Sequence, residues 1–543
     1  MTDRYDYIII GAGAAGCVLA NRLTADPAIR VLLLEAGGQD RHPLLKLPIA
    51  WPMAMQDPRF GWGYLSEPEP HLDGRQIPLP RGKMLGGSTS INGMRYSRGH
   101  PSDFDQWRQL GLKGWGYDDV LPYFRKSERS WRGDGRYHGG DGPLNVRVSA
   151  QPPAIYRPLA DAAAAAGFAE TDDIHGDVTE GMSRPEITMS AKGRRQSASV
   201  AFLRPAMARP NLTVVTGALT TRILVGNGTA IGVEYRRDGA RVTVLADAEV
   251  ILSGGAYNSP QVLMLSGIGP VDELRQHGIA VVHAMPGVGR NLMEHPLVPV
   301  VMEVAEGDSF LRHLRWDRAA QHALRWFLTG GGLYTDNGNS AGLFIRSRPG
   351  LDRPDLQLLY SAMARDSRLW WPGRLGTQKF AVQCSISLQY ALSRGSVTLR
   401  SAKPEDAPRI RLNLFADQAD IDTVIRGIHI ARDIFGRSPM REKIKGEIAP
   451  GADIQSDADL AAYIRRTAAT TQHACGTCRM GHDDTAVVDD RLRLRGIDRL
   501  RVIDASVMPT IPSGHINAPT IMIAEKGADM VLEDRARLTK AAA

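Results

Sequence analysis

Apolar and polar positions near the N-terminus predict a strand, a glycine-rich turn, a helix and a second strand in direct succession. Residues 5–10 alternate and then become wholly apolar, a pattern that is typical of a strand buried in a parallel sheet. Residues 17–23 have helical character, and residues 31–34 predict the next strand, which ends at Glu35. This order indicates a βαβ unit and therefore an α/β fold.

Apolar runs farther along the chain predict additional elements of the same kind. Strands are expected at residues 212–215, 231–235, 242–252 and 500–504, and a helix at residues 259–267. Residues 310–334 mix basic and aromatic side chains, which predicts either an access lid or a solvated amphipathic surface helix. Because no repeat or low-complexity linker separates these segments, the domains are expected to interleave along the chain.

The turn after the first strand has the spacing of a dinucleotide-binding motif. Gly11 permits the tight turn, Gly13 lets the backbone approach a pyrophosphate, and Gly16 lets the helix pack on the strand. The helix N-terminus offers free N–H groups to phosphate, and Glu35 can accept hydrogen bonds from ribose hydroxyls. This acid disfavours NADP and leaves FAD and NAD open. The predicted nucleotide contacts are Gly11, Gly13, Ala14, Ala15, Gly16, Glu35 and Ala36.

Residues 81–95 form a second glycine-rich stretch, RGKMLGGSTSINGMR. It is either a plain loop or a segment that approaches another part of a large cofactor closely. On the second interpretation, the predicted contacts are Gly86, Gly87, Ser88, Asn92 and Gly93.

Two histidines in the C-terminal part of the chain, His473 and His515, are candidates for catalysis. A neutral imidazole, with an unperturbed pKa of about 6.5, is a suitable base at physiological pH. An alcohol becomes a good hydride donor once its hydroxyl proton leaves. A nucleotide site together with a histidine pair therefore indicates a redox enzyme that removes a proton and a hydride from an alcohol.

Composition and charge narrow the class of protein. The chain has 543 residues, of which 43% are hydrophobic and 23% charged, as in ordinary globular proteins. No apolar run approaches the roughly 20 residues of a membrane span, and no secretory signal is expected, so the predicted location is cytoplasmic. The net charge of +7 is scattered along the chain, and no nucleic-acid motif is present.

Four cysteines in so long a chain argue against a disulfide framework. Cys475 and Cys478 form a CxxC pair, which alone is compatible with a redox pair or half a zinc site. No second CxxC follows, although His473 and His482 lie nearby. The favoured interpretation is two small buried residues, with no metal bound.

Several sequence blocks, in order, resemble the glucose–methanol–choline (GMC) oxidoreductases over nearly the full length of the chain. They are the N-terminal βαβ unit, residues 81–88 with 92–93, residues 254–260 with 265–270, residues 287–292 with 295–296, residues 393–397, and the two histidine segments. The resemblance implies FAD and a Rossmann-like FAD-binding domain (residues 1–149, 205–300 and 476–535). A sheet-based substrate-binding domain would comprise residues 150–204 and 301–475, giving an α/β fold with an α+β substrate part.

The same resemblance assigns roles to individual positions. His473 stands at the family's catalytic histidine and His515 at the partner position, which is asparagine in many choline dehydrogenases. Further contacts to FAD are implied for Met94, Arg95, Thr220, Gly254, Asp504, Ala505, Asn517 and Thr520. Ile91 occupies the position of the histidine that bonds covalently to FAD in choline oxidase, so non-covalent FAD is expected. Tyr390 and Ala391 replace an Arg-Pro pair that the photodecarboxylase branch requires.

The expected activity is oxidation of a primary alcohol, aliphatic or aromatic, to the aldehyde, with electrons passing to a quinone-like or other acceptor; a polyol or sugar is another possible substrate. Three alternatives remain: a choline dehydrogenase, an alcohol oxidase using oxygen, and a hydroxynitrile lyase on the same fold. Residues 310–334 do not resemble an acidic cage for a quaternary ammonium group, which weakens choline. The sequence leaves the oligomeric state open.

Overall fold

The computed structural model describes residues 3–148 and 155–542 of the chain. The predicted domain boundary at residues 149 and 150 lies outside this part. Its helices are α1 Ala14–Leu23, α2 Trp51–Gln56, α3 Pro101–Gln109, α4 Tyr117–Ser127, α5 Tyr156–Ala165, α6 Arg204–Ala206, α7 Gly255–Leu265, α8 Val271–Gln276, α9 Trp316–Thr329, α10 Gln418–Phe435, α11 Asp457–Thr467 and α12 Asn517–Ala542.

The strands, in chain order, are β1 Arg4–Ile10, β2 Val31–Glu35, β3 Arg95–Tyr96, β4 Glu128–Ser130, β5 Leu144–Val148, β6 Gly181–Ser183, β7 Glu186–Thr188, β8 Leu212–Thr216, β9 Leu219–Gly226, β10 Thr229–Arg237, β11 Ala240–Leu252, β12 Ile268–Gly269, β13 His283–Ala284, β14 Pro296–Val304, β15 Asn339–Ile345, β16 Leu356–Ser361, β17 Ala381–Leu388, β18 Ser396–Thr398, β19 Arg409–Arg411, β20 Ile444–Ala449, β21 Ala469–Thr470 and β22 Leu500–Val502.

The first sheet contains the predicted βαβ unit. Its order is β8-β2-β1-β11-β10-β9, and β22 pairs with β11. The pairs β1–β2, β1–β11, β2–β8 and β11–β22 are parallel, and β9, β10 and β11 form an antiparallel meander. The last four residues of β1 are buried, as are all five of β2, which explains their apolar sequences. The strands predicted near the two ends of the chain, β1 and β22, are present, and both pair with β11 in this sheet.

Two predicted helices begin earlier than the apolar pattern indicated. Helix α1 begins at Ala14, and α7 begins at Gly255, because each follows a glycine turn directly after a parallel strand. The small residues of these turns have no apolar periodicity, so the apolar pattern did not predict that they belong to the helices. Both helix N-termini consequently lie at the carboxyl ends of strands in the first sheet, where open α/β sheets bind ligands.

A second, antiparallel sheet has its own hydrophobic core. Its order is β20-β14-β17-β16-β15-β6, and β21 pairs with β14. Helix α10 packs on this sheet with Ile421, Val424 and Ile428, all buried in the same core. Strand β14 runs through residue 300, where the sequence analysis placed a boundary. The fold is mixed α/β, as expected, whereas the detailed domain division stays a prediction.

The described helices contain none that is both long and apolar enough to cross a membrane.

Candidate active site

A large cavity lies where the first sheet faces the second. Its volume is about 430 Å³, within the range of roughly 300–1,000 Å³ that is usual for ligand and cofactor sites. The turn after β1, the end of β2 and the turn after β11 line one side, and side chains of β14 to β17 line the other. The predicted site residues that line it are Gly11, Gly13, Ala14, Ala15, Glu35, Ala36, Gly87, Ser88, Asn92, Gly93, Met94, Arg95, Thr220, Gly254, His473, Asp504, Ala505, His515, Asn517 and Thr520.

Gly16 and Gly86 are the two predicted site residues that do not line the cavity. A Cβ on Gly16 would lie 1.9 Å from the carbonyl oxygen of Gly11, so Gly16 permits helix α1 to pack against the turn. Gly86 adopts φ +84° and donates its N–H to the carbonyl of Ala12 at 2.7 Å. A Cβ on Gly87 would lie 2.9 Å from Cα of Gly13, so the two glycine-rich segments are in contact. Gly16 and Gly86 therefore do not face the cavity but fix the positions of the backbone segments that line it.

The first-sheet side of the cavity, which we call the nucleotide side after its predicted ligand, has the donors and acceptors that a dinucleotide needs. Helix α1 has no side-chain cap, and the space around a Cβ on Gly13 is open to 4 Å, so the first N–H groups are accessible to phosphate. Glu35 accepts hydrogen bonds from the backbone N–H groups of Ala12 at 3.0 Å and Gly37 at 2.8 Å. The hydroxyl of Thr220 is buried without a protein partner. These residues fit the adenosine and pyrophosphate of FAD.

Glu35 and Asp504 are both buried acids, with different surroundings. Burial raises the pKa of Glu35 to about 7, although the two backbone N–H groups oppose the shift. Asp504 accepts hydrogen bonds from the N–H of Gly255 at 2.8 Å, the hydroxyl of Ser259 at 2.6 Å and the N–H of Ser506 at 2.7 Å. Asp504 therefore ties the turn that precedes α7 to the segment after β22, in addition to lining the cavity.

The histidine pair lies at the opposite side of the cavity, and a third histidine, His295, contacts it. The rings of His473 and His515 have centroids 5.0 Å apart, and Nδ1 of His473 lies 3.0 Å from Nδ1 of the fully buried His295. Burial, together with the neighbouring histidines and, for His515, the charge of Arg95, holds the pKa of His473 and of His515 well below the usual range. Burial also lowers the pKa of His295 to about 3. All three imidazoles are therefore neutral at pH 7.

Hydrogen bonds on Nδ1 orient both cavity histidines. Nδ1 of His473 has Thr471 Oγ1 at 2.7 Å besides His295, while Nε2 has no hydrogen-bond partner among the described protein groups. Nδ1 of His515 lies 3.0 Å from Ser97 Oγ, which already accepts the backbone N–H of His515 at 2.7 Å. The Ser97 hydroxyl proton is thus available to His515 Nδ1, an arrangement that leaves the ring proton on Nε2.

Glu294 is a further site residue that the sequence analysis did not single out. One carboxylate oxygen, Oε1, accepts the backbone N–H of His473 at 2.5 Å and that of His295 at 3.0 Å. Its other oxygen lies 3.9 Å from Arg81, and burial raises the pKa of Glu294 to about 7. In the sequence, His295 appeared only as part of the family block that includes residues 295–296, with no role assigned, and Glu294 was not singled out. Their pairing with His473 depends on the contact between β14 and β21.

The second sheet provides a neutral polar surface opposite the nucleotide side. Asn339, Ser361, Gln383 and Ser385, from three adjacent strands, all line the cavity. Arg365 lines it as well, and its guanidinium makes no ion pair with any residue that the structure describes. Among the described lining residues, the only carboxylates are Glu35 and Asp504, both on the first-sheet side.

Family models identify the class of protein that this fold and cavity define. Models for the GMC oxidoreductases match residues 5–297 and 391–524. The chain therefore belongs to the GMC oxidoreductase family, whose members bind FAD. It is an enzyme of the class that acts on CH–OH donors, as the motifs indicated.

Individual relatives agree with this membership. The chain is 42% identical over 531 residues to an oxygen-dependent choline dehydrogenase of Rhizobium etli, covering 97% of this chain and 95% of the relative. It is 40% identical to the mitochondrial choline dehydrogenase of Mus musculus, with coverages of 98% and 91%. Among solved structures, pyridoxine 4-oxidase of Mesorbium loti has a TM-score of 0.86 at 29% identity, covering 97% and 98% of the chains. A formate oxidase variant of Aspergillus oryzae has a TM-score of 0.91 at 29% identity and 99% coverage of both.

Proposed function

We propose that this enzyme oxidises an uncharged primary alcohol, aliphatic or aromatic, to the aldehyde with non-covalently bound FAD, and passes the electrons to a quinone or another carrier. The observation that carries the proposal is the neutral pair of His473 and His515 at the cavity wall, each held through Nδ1. Both ring Nε2 atoms are thereby left for a substrate hydroxyl.

The two histidines have complementary tasks in this proposal. With its proton on Nδ1, near Thr471 and His295, His473 presents the lone pair of Nε2 and accepts the hydroxyl proton of the alcohol. His515 donates its Nε2 proton to the same oxygen and stabilises the negative charge that develops there. Bound FAD supplies the hydride acceptor. Glu294, once ionised, stabilises the imidazolium that forms on His473.

FAD would be held by the residues that line the first-sheet side of the cavity. Glu35 would accept hydrogen bonds from the ribose hydroxyls, and the N-terminus of α1 beside Gly13 would bind the pyrophosphate. Thr220 would lie beside the adenine, and Asn92 to Arg95 together with Asp504, Ala505, Asn517 and Thr520 would hold the rest of the cofactor. Ile91 is an apolar side chain on the cavity wall and cannot form a covalent flavin link, which supports non-covalent binding.

Charges in the cavity favour a neutral alcohol over choline. Tyr257 and Trp62, two of the three lining Trp and Tyr residues, already have a cation over their rings, Arg81 at 4.8 Å and Lys83 at 4.5 Å. The unpaired Arg365 repels a quaternary ammonium group. Choline remains the second candidate, because the curated relatives described above are choline dehydrogenases.

The test is anaerobic mixing of the FAD-loaded enzyme with aliphatic alcohols, aryl alcohols and choline, while flavin absorbance is followed. We expect bleaching by the neutral alcohols and its loss in His473→Ala. His429→Ala, at a half-exposed histidine on α10, is the matched control and should bleach normally. Bleaching by choline alone would identify choline, the second candidate, as the substrate.

The fate of the electrons needs a separate measurement. Readmitted air should leave the bleached enzyme reduced until a quinone is added. Rapid recolouring with peroxide would instead identify an oxidase. Cyanide release from a cyanohydrin without flavin reduction would identify a hydroxynitrile lyase. A cytoplasmic location stays a prediction.

A further inference from the structure

Helix α9 exposes an unusually apolar surface on its outer side. Leu324, Phe327 and Leu328 are 59%, 70% and 71% exposed. At about 100° per residue, these side chains lie with Trp316 and Ala320 within roughly one third of the helix circumference. The opposite side of the helix, with Ala319 and Trp326, is buried against the protein. The helix therefore has two apolar sides, and only one is used by the fold.

A neighbouring loop enlarges this apolar surface. Trp371, 60% exposed, stacks on Trp316 with ring centroids 5.3 Å apart. The loop is fixed to the helix because the N–H of Trp316 donates to the carbonyl of Trp370 at 2.9 Å. We call the set Trp316, Leu324, Phe327, Leu328 and Trp371 the outer patch. Five large exposed side chains in one place exceed the single apolar residues that are normal on a protein surface.

Positive charge surrounds the outer patch. Arg325 is on the same helix, and Arg368 and Arg374 belong to the same loop as Trp371. None of these three guanidinium groups has an ion pair within the described part of the chain. Asp366, an acid of the same loop, likewise has no ion pair with a described residue, so the local balance remains positive. Arg315 and Arg318, in contrast, are neutralised by Asp317 and Glu306.

We propose that the outer patch binds the surface of a membrane rich in anionic phospholipid, with its apolar side chains at the level of the headgroups. Leucine and aromatic side chains flanked by unpaired arginines are the composition that helices lying in such an interface require. A second copy of the chain is a poorer occupant. In a symmetric dimer, the same arginines would face each other across the contact.

This location gives the cavity access to the membrane. The buried side of α9 belongs to a small hydrophobic cluster with Ile49 and Met363, and Met363 lines the cavity. Docking by the outer patch brings this side of the cavity close to the lipid surface. A lipid-soluble quinone, as electron acceptor, would then reach the enzyme without crossing water.

The test is flotation of the FAD-loaded full chain with two kinds of vesicle, phosphatidylcholine alone and phosphatidylcholine with about 30% phosphatidylglycerol. The second contains about as much anionic lipid as the membranes that attract basic protein surfaces. We expect binding to the anionic vesicles that falls at least about tenfold in Leu324→Ser/Phe327→Ser/Leu328→Ser and in high salt. Leu538→Ser, equally exposed on α12, is the matched control and should bind as the parent does.

Two results would overturn the proposal. One is equal flotation of the parent and the triple variant. The other is absence of flotation by the parent, together with a dimer in light scattering that the triple variant converts to monomer, which would assign the patch to a contact between copies. Because the substituted side chains are exposed, flavin content and turnover of a water-soluble alcohol with a soluble dye should be unchanged in the variant.

Discussion

At the scale of single residues, burial determines the chemistry of the site. Taking an imidazole out of water penalises its charged form, which keeps His473 and His515 neutral and able to exchange one hydroxyl proton. The same effect raises the pKa of Glu294 to about 7. Around the histidine pair, the group whose charge changes near physiological pH is therefore the carboxyl of Glu294 and not the proposed base itself. Glu35, whose pKa is also raised to about 7, lies on the first-sheet side of the cavity.

The pH dependence of flavin reduction should reveal this carboxyl. Above about pH 7 Glu294 is ionised and stabilises the imidazolium on His473; below that pH it is neutral, so the rate should fall as pH falls. One pKa unit of interaction corresponds to about tenfold in rate. In Glu294→Gln, the rate of anaerobic reduction should be roughly tenfold lower and flat between pH 6 and 8.

Glu186→Gln is the matched control for this experiment. Glu186 is also a buried carboxyl with a raised pKa, but it accepts hydrogen bonds from Trp131 and Arg132 and does not line the cavity. That variant should keep the inflection near pH 7. An unchanged inflection in Glu294→Gln would show that another group controls the rate.

At the scale of elements, glycine turns at the ends of parallel strands create the nucleotide side of the cavity. Helix α1 can approach the turn after β1 because Gly16 has no side chain. Helix α7 begins directly after β11 because Asp504 accepts the N–H of Gly255. Each turn directs a helix N-terminus or a backbone N–H towards the place where FAD is expected.

Gly16→Ala should separate helix α1 from the sheet and weaken FAD binding. The added Cβ would lie 1.9 Å from the carbonyl oxygen of Gly11, which the backbone must relieve by moving. We expect a loss of about 1–3 kcal/mol in unfolding free energy, the usual cost of overpacking. Bound flavin per chain and the thermal midpoint are the measurements.

Gly135→Ala provides the comparison, because a Cβ there meets nothing within 4 Å and the residue has no positive φ. It should retain flavin and stability within about 0.5 kcal/mol. A Gly16→Ala protein with full flavin content and an unchanged midpoint would contradict the packing argument.

At the scale of the whole molecule, the two sheets form different sides of the cavity. The first provides the nucleotide side and the second covers it with Asn339, Ser361, Gln383 and Ser385. Those side chains are neutral, whereas Arg365, which lines the cavity beside them, is charged and makes no ion pair with any described residue. The net charge of the whole chain, +7, is positive like that of Arg365.

Arg365→Glu should shift substrate preference towards choline. Replacing a repelling cation with an anion favours a quaternary ammonium group, so the ratio of kcat/KM for choline to that for a neutral alcohol should rise at least about tenfold, or 1.4 kcal/mol. Arg365→Gln should give an intermediate ratio. An unchanged ratio in both variants would show that Arg365 does not face the bound substrate.

The sequence by itself determined the features that are local in the chain. Strand and helix periodicity, the spacing of Gly11, Gly13 and Gly16, and the family blocks gave the βαβ unit, the α/β class and the family, because each depends on residues within one short segment. His473 and His515 were found in the same way. The roles assigned to the individual cofactor-contacting residues remain predictions, although nearly all of those residues line the cavity.

Only the tertiary structure decided which distant segments meet. His295 contacts His473 across 178 positions of sequence because β14 pairs with β21, and Glu294 supports both histidines for the same reason. Helix α9 was predicted as a lid or a surface helix, but its sequence does not reveal which apolar side the protein covers. Packing with Ile49 and Met363 buries one apolar side of the helix and leaves the outer patch exposed. The sequence could not predict this choice, because both sides have the same apolar periodicity.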